Sequence, residues 1–308
     1  TSPHTMNTYG RLPIALSHGR GCRVWDTEGR EYLDALAGIS GVGMAPGVVA
    51  PHVLALGRWS LAGLILTFLS RHELWQMRSH IARTWYQSLI LGACGMWICG
   101  AWVYMAGQST SAMNISLIYA ASPVMIAVGS VLWLGEHFRK RQMLGVAMAL
   151  SGVLHVVVRG HWSQMAEVEW VAGDLWIVAA AIAWAAYALL QKQWPSPLSA
   201  TARLATICMG GVVVLAPFAA WEMAADDALP LSLHALALVV VTALVPGVGA
   251  YWIYGWTQKI LGTSRVAVTL YLGPLYAGLA AWLLLHEAMG LHHLMGGLLI
   301  LSGVALVM

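Results

Sequence analysis

The residues able to do chemistry in this chain are few, and most stand among apolar neighbours. Arg58 lies inside the apolar run VLALGRWSLAGLILTFL (53–69). A cation held there invites an anionic or carboxylate solute, unless its side chain snorkels to the near interface. Glu136 and Glu287 each close an apolar run. They are candidates for proton coupling, or they simply end a helix beside an aqueous vestibule. Pro123, Pro246 and Pro274 fall inside apolar runs, where a proline removes one helical hydrogen bond and is tolerated only if packing or a cavity satisfies the freed carbonyl. Trp97, Trp102, Tyr104, Tyr119, Trp184, Tyr187, Tyr251, Trp252, Tyr254 and Tyr271 would give a cavity amphipathic walls, and Trp97, Tyr119, Trp184 and Tyr187 lie nearest the centres of their runs. The candidate solute-lining set is therefore Arg58, Trp97, Asn114, Tyr119, Pro123, Trp184, Tyr187, Tyr271 and Pro274, with Glu136 and Glu287 for coupling. Asn114 opens an Asn-Ile-Ser sequon, but within an apolar run it is no glycosylation site. Asp174, near the start of its run, reads as a helix cap.

Other chemistries find little support. Cys22, Cys94, Cys99 and Cys208 show neither metal-type spacing nor a secreted disulfide pattern. His286, His292 and His293 cluster at one break, too few and too close in sequence to argue for a metal site. There is no phosphate loop, no nucleophile triad and no nucleic-acid surface, so no enzyme activity and no cofactor are expected.

These residues must be positioned by elements suited to lipid. Of 308 residues, 59% are apolar and 9% charged, where soluble domains carry about 25% charged residues; the mean hydropathy is +0.70. A helix needs about 20 mostly apolar residues to cross hydrocarbon. The qualifying runs are 53–69, 85–106, 111–134, 142–158, 173–191, 204–220, 235–257, 266–285 and 291–308, an all-α membrane protein of about nine transmembrane helices. A Gly-rich stretch at 36–50, broken by Pro46, is an incomplete tenth. Basic residues mark the cytoplasmic side of inserted helices. Arg71, Arg78 and Arg83, then Arg139, Lys140 and Arg141, then Lys192 and Arg203, then Lys259 and Arg265 fill alternate breaks, while the intervening ones hold only Arg159. The C-terminus then falls in the cytoplasm. No signal peptide is expected, because the first forty residues lack an apolar core.

A shift of 151 residues superimposes two segments without a gap. Pro123 falls on Pro274, Glu136 on Glu287, Gly145 on Gly296, and Leu150–Val153 on Leu301–Val304. The break after Glu136 reads HFRKR and the break after Glu287 reads AMGLHH, so the charge rule puts them on opposite faces. Two five-helix repeats inverted in this way place a solute site near the midplane, where the halves rock against each other. The same shift exposes a gap. The counterpart of 173–191 would lie at about 22–40, which holds six charged residues; each costs about 2.5–3.5 kcal/mol at a helix centre on insertion scales. The first helix of the first repeat is missing or replaced.

From about Val42 onward the chain resembles the EamA-type carriers of the drug/metabolite transporter superfamily. The likeness rests on SLIYAASPVMIAVGSVLWLGE (116–136) with LGVAMALSGV (144–153), repeated as VTLYLGPLYAGLAAWLLLHE (268–287) with MGGLLILSGV (295–304). It implies two repeats, 42–158 (truncated) and 171–308, in a bacterial-type inner membrane. It further implies secondary export of small organic metabolites or amino-acid-like compounds by alternating access, impaired by loss of the first helix. The partners implied are the lipid bilayer, a small solute and protons, with the oligomeric state open. Residues 6–40, carrying Gly19-x-Gly21-x-x-Val24-x-Asp26-x-x-Gly29-x-x-Tyr32-x-Asp34, instead resemble the N-terminus of acetylornithine/ornithine-type pyridoxal-phosphate aminotransferases. That pattern reads as a soluble β-hairpin with its turn at Thr27-Glu28-Gly29. The two likenesses together imply an in-frame junction near residue 41, with residues 1–41 a fragment rather than a folded domain. The rest of an aminotransferase, with its Schiff-base lysine and phosphate cradle, has no counterpart, so an alternative identity as that enzyme lacks the residues for activity.

Overall fold

The computed structural model describes residues 16–20, 23–26, 31–33, 50–107, 109–110, 112–137, 139–167, 170–224, 233–276, 279 and 290–308. Near the N-terminus, strands β1 (Leu16–Arg20), β2 (Arg23–Asp26) and β3 (Glu31–Leu33) pair antiparallel in that order, with Arg20 opposite Arg23 and Val24 opposite Tyr32. The turn expected at Thr27–Gly29 lies outside the described residues.

Beyond residue 50 the described chain is helical. The elements are α1 (Pro51–Leu69), α2 (Trp85–Ala106), α3 (Asn114–Leu132), α4 (Lys140–Val157), α5 (Ala172–Gln193), α6 (Ala200–Ala224), α7 (Ala235–Leu261), α8 (Thr263–Thr269) and α9 (Leu291–Val307). Each occupies one of the apolar runs read from the sequence. Among the described residues, six of them (α1, α2, α3, α5, α6 and α7) are long and apolar enough to cross a membrane, and α9 is a shorter apolar helix. The run at 266–285 falls partly outside the described residues.

Why these helices belong in lipid is visible on their two faces. On α1, Leu54, Ala55, Arg58, Trp59, Ala62, Gly63 and Leu66 are buried, the three- and four-residue spacing of one helix face. Leu64, Phe68 and Leu69, pointing the other way, are apolar and exposed. A face so oily would not be left in water. The buried stripe packs on α6, where Cys208 fits against Gly63 and the Gly210–Gly211 pair lets α2 approach at Gly92. Small residues serve this purpose in membrane helices, which associate by close contact.

Among the described residues, three buried clusters lie in the interior, one of them joining α3, α5, α7 and α8 around Ile126, Ala188, Tyr254 and Val266. The largest joins α1, α2, α5 and α6 around Trp59, Met96, Tyr187 and Leu215. The second joins α4, α9, the Ala120 break of α3 and the segment 268–275. In it α4 and α9 run antiparallel. A Cβ on Gly145 would lie 2.6 Å from the Gly303 carbonyl oxygen, and one on Gly152 2.7 Å from that of Gly296. Under the 151-residue shift these two contacts exchange with one another.

Two departures from a uniform helix recur at shift-related places. The α2 backbone is π-helical over Ala93–Trp102, and α7 over Ala243–Ala250, where Pro246 removes a donor. Helix α3 breaks at the turn Ala120–Ala121 and restarts at Ser122, so Pro123 sits in a first turn, where its missing N–H would have no partner anyway. The sequence expectation of a kink inside a continuous helix is corrected there: the apolar run contains a helix end and a new start. A 3-10 turn at Leu270–Leu272 precedes Pro274 in the same way.

Candidate functional site

The ends of α5, α6 and α7 enclose a cavity of about 370 Å³ lined by Tyr187, Gln191, Lys192, Arg203, Tyr251, Gln258 and Lys259, among others. Among the described residues, three cations and no carboxylate line it. Arg203 donates to the Gln191 and Trp194 carbonyl oxygens at 2.8 and 2.7 Å, and Lys259 to that of Leu198 at 2.5 Å. Their donors fix the loop between α5 and α6 while their charges stay at the mouth. Gln258 donates to the Ala188 carbonyl at 2.7 Å, whereas the side-chain nitrogen of Gln191 is buried without a partner.

An aromatic layer forms the inner wall. Trp184 stacks on Tyr187 with centroids 5.4 Å apart and meets Tyr251 edge-on at 5.3 Å and Tyr254 at 5.0 Å. The Tyr251 hydroxyl donates to the Gly95 carbonyl at 2.9 Å. Gly95 is required here, because a Cβ would come within 2.8 Å of the Tyr187 ring. On its far side Tyr251 packs edge-on against Trp59 at 4.8 Å.

Behind that layer lies Arg58, 9% exposed. Its guanidinium sits 4.5 Å above the Trp59 ring, Nη1 donates to the Tyr104 hydroxyl at 3.2 Å, and Nε is buried without a partner. Among the described residues no carboxylate pairs with it. Tyr119, Tyr251 and Cys208 lie close enough to feel its charge.

At the end of the helices opposite the cavity, two carboxylates tie elements together. Glu222 of α6 accepts from the His52 and Val53 amides at 2.8 and 3.1 Å and meets the His52 ring at 3.0 Å. These amides are among the first N–H groups of α1, which have no partner within the helix. Asp174 of α5 accepts from the Asn114 side chain and the Val171 amide, both at 2.9 Å, and from the Thr110 hydroxyl.

The sequence candidates therefore separate. Arg58, Trp184 and Tyr187 come together through Tyr251, and Tyr119 approaches the Arg58 side of that wall. Trp97 belongs to the same core but stacks on Phe218 at 4.3 Å. Asn114 is engaged with Asp174 at the end opposite the cavity. Tyr271 donates to the Ala120 carbonyl at 2.9 Å in the second cluster, beside Pro123 and Pro274 in sequence. Glu136 accepts from the Ser264 hydroxyl, which also meets Ser130 at 2.7 Å, at the cavity end of the bundle. Glu287 lies outside the described residues. Sequence reasoning did not single out Gln258, Arg203 or the His52–Glu222 tie. Tyr251, Tyr254 and Gln258 recur at the spacing of one helix face, a signal that would have drawn them together.

Comparison with known proteins agrees with this architecture. The EamA-like transporter family model matches residues 35–158 and 171–308. The transporter YdfC of Bacillus subtilis (strain 168), described as uncharacterized, is 25% identical over 255 residues, covering 82% of this chain and 80% of that protein. YyaM of the same organism, similarly described, is 24% identical over 233 residues, 74% of this chain and 75% of that one. A protein of known crystal structure superposes with a TM-score of 0.67 at 17% identity, over 88% of this chain and 92% of its own, a likeness of fold alone. At the N-terminus, acetylornithine aminotransferase of Nostoc sp. (strain PCC 7120 / SAG 25.82 / UTEX 2576) is 69% identical over 35 residues, but these are 11% of this chain and only 8% of that enzyme. Apolar helices of membrane-crossing length and a family match over both halves lead to one conclusion: the chain belongs to the EamA-like transporter family.

Proposed function

We propose that the chain is a secondary carrier that exports small organic metabolites or amino-acid-like compounds by alternating access between two inverted repeats. The observation that carries this reading is the cavity between α5, α6 and α7 at the end marked by Lys192, Arg203 and Lys259, with the Glu222 and Asp174 ties joining helices at the other end. A cavity at one end and ties at the other is the asymmetry an alternating-access cycle needs in each half of its turn. The basic mouth favours a cytoplasmic opening in an inner membrane, with nine crossings and a cytoplasmic C-terminus. Inversion is supported by α4 and α9, which are equivalent under the 151-residue shift and run antiparallel, and by the shift-related π-helical stretches of α2 and α7.

We read the first helix of the first repeat as missing or replaced. Among the described spans α7 is the least covered, with 22% of its apolar window buried against 44% for α2. Transport is accordingly expected to be slow. The test is flux into sealed vesicles reconstituted with purified protein. Saturable uptake of amino acids or organic acids above protein-free vesicles supports the carrier; uptake that is linear in concentration and equal to the blank contradicts it.

A further inference from the structure

We infer that Arg58 is the charge-reading group of the solute site, and that the solute is a small organic anion with one carboxylate on an apolar body. This deepens the carrier reading and rests on it for the direction of travel and for the opening that admits the solute.

The guanidinium cannot shed its charge. It is not snorkelling: it stands seven residues into α1 and is 9% exposed. The carboxylate at the near end of the helix pair, Glu222, is engaged with His52 and Val53. The face of Trp59 at 4.5 Å offers a quadrupole rather than a counter-charge. A buried charge without a partner is costly to a fold and is normally paired. Among the described residues the site holds no negative charge to match it.

The geometry says which anion. Nη1 is engaged with Tyr104, while Nε is free and buried. A planar carboxylate suits the Nε edge of a guanidinium, binding two parallel N–H groups at once. Gly247 is the backbone neighbour of Nε: a Cβ on it would stand in ordinary contact at 3.7 Å, so a carboxylate reaches Nε as the helices part in the transport cycle. Trp59 and Tyr251 wall the same place and would hold an apolar body. The cavity that leads to this wall agrees independently. Its described lining holds three cations, the unpartnered side-chain N–H of Gln191 and no carboxylate. Glu73, engaged with Ser199, offsets one charge near Lys259, and the net field still favours anions.

The test uses purified full-length protein in nanodiscs and two probes of one shape, benzoate and its uncharged amide, benzamide. Tryptophan fluorescence and thermal unfolding are followed during titration. Benzoate is expected to bind saturably and raise the melting temperature, with benzamide at least tenfold weaker. Arg58→Gln is expected to remove this preference while melting no lower than the wild type, since it removes an uncompensated charge. If Arg58→Gln does not fold, the comparison of benzoate with benzamide on the wild-type protein decides alone. Equal binding of both probes, binding of neither, or unchanged benzoate binding in Arg58→Gln overturns the assignment. Benzoate binding in a protein that shows no flux would retain the site and overturn the carrier; flux of amines or neutral solutes without benzoate binding would do the reverse.

Discussion

Glu222 shows how much a single carboxylate can organise in this chain. It gives the start of α1 the acceptors that helix cannot supply to itself, and it does so from α6, 170 residues away. Removing it leaves the His52 and Val53 amides half-buried without acceptors, at a cost of about 1–3 kcal/mol. Glu222→Ala should therefore lower the melting temperature in detergent. Glu222→Gln, which keeps an acceptor oxygen, should recover at least half of the loss; equal losses would show that charge rather than capping is at stake. Arg58 was legible in the sequence because a basic residue inside an apolar run has no bland explanation except snorkelling, and burial removes that one. The Glu222 tie was not legible, since a glutamate at the end of a run has no stated partner until the fold brings α1 to α6. Asn114 was read as a lining residue because polar residues in apolar runs suggest one, and its side chain donates to Asp174 at the start of α5.

At the scale of elements, hydropathy located the helices well because length and apolarity are what crossing a membrane requires. It missed their internal irregularities. Nothing in ACGMWICGAW marks a π-helical stretch, and the break at Ala120–Ala121 is written in alanines. Only Pro246 gave warning. The tightest packing, between α4 and α9, depends on glycines whose neighbours are backbone atoms unable to give way. Gly152→Leu would drive a side chain against the Gly296 carbonyl and Ile300 and should cost about 3 kcal/mol or more, above the usual range for overpacking. The readout is loss of monodisperse protein on size exclusion and a lower melting temperature. Gly255→Ala is the control: its Cβ meets nothing within 4 Å, so little change is expected. If both variants behave alike, the α4–α9 contact is not what holds the second cluster together.

The whole molecule joins two unlike sequences. The aminotransferase-like segment brings 35 residues of an enzyme, and the chain's lysines are Lys140, Lys192 and Lys259, of which two line the cavity mouth. Purified protein given pyridoxal phosphate and acetylornithine should show no transamination; turnover above a heat-denatured control would refute that. The repeat reading rests on matched Pro, Glu and Gly residues, and its inverted sense on one charged loop and one uncharged one. The central claim is that these two halves face opposite ways in the bilayer. The direct measurement is labelling of single cysteines, His137→Cys and His292→Cys, in a chain cleared of its native cysteines, with a membrane-impermeant maleimide on intact cells. The account predicts that position 292 reacts from outside and position 137 only after permeabilisation. Reaction of both from the same side would contradict it.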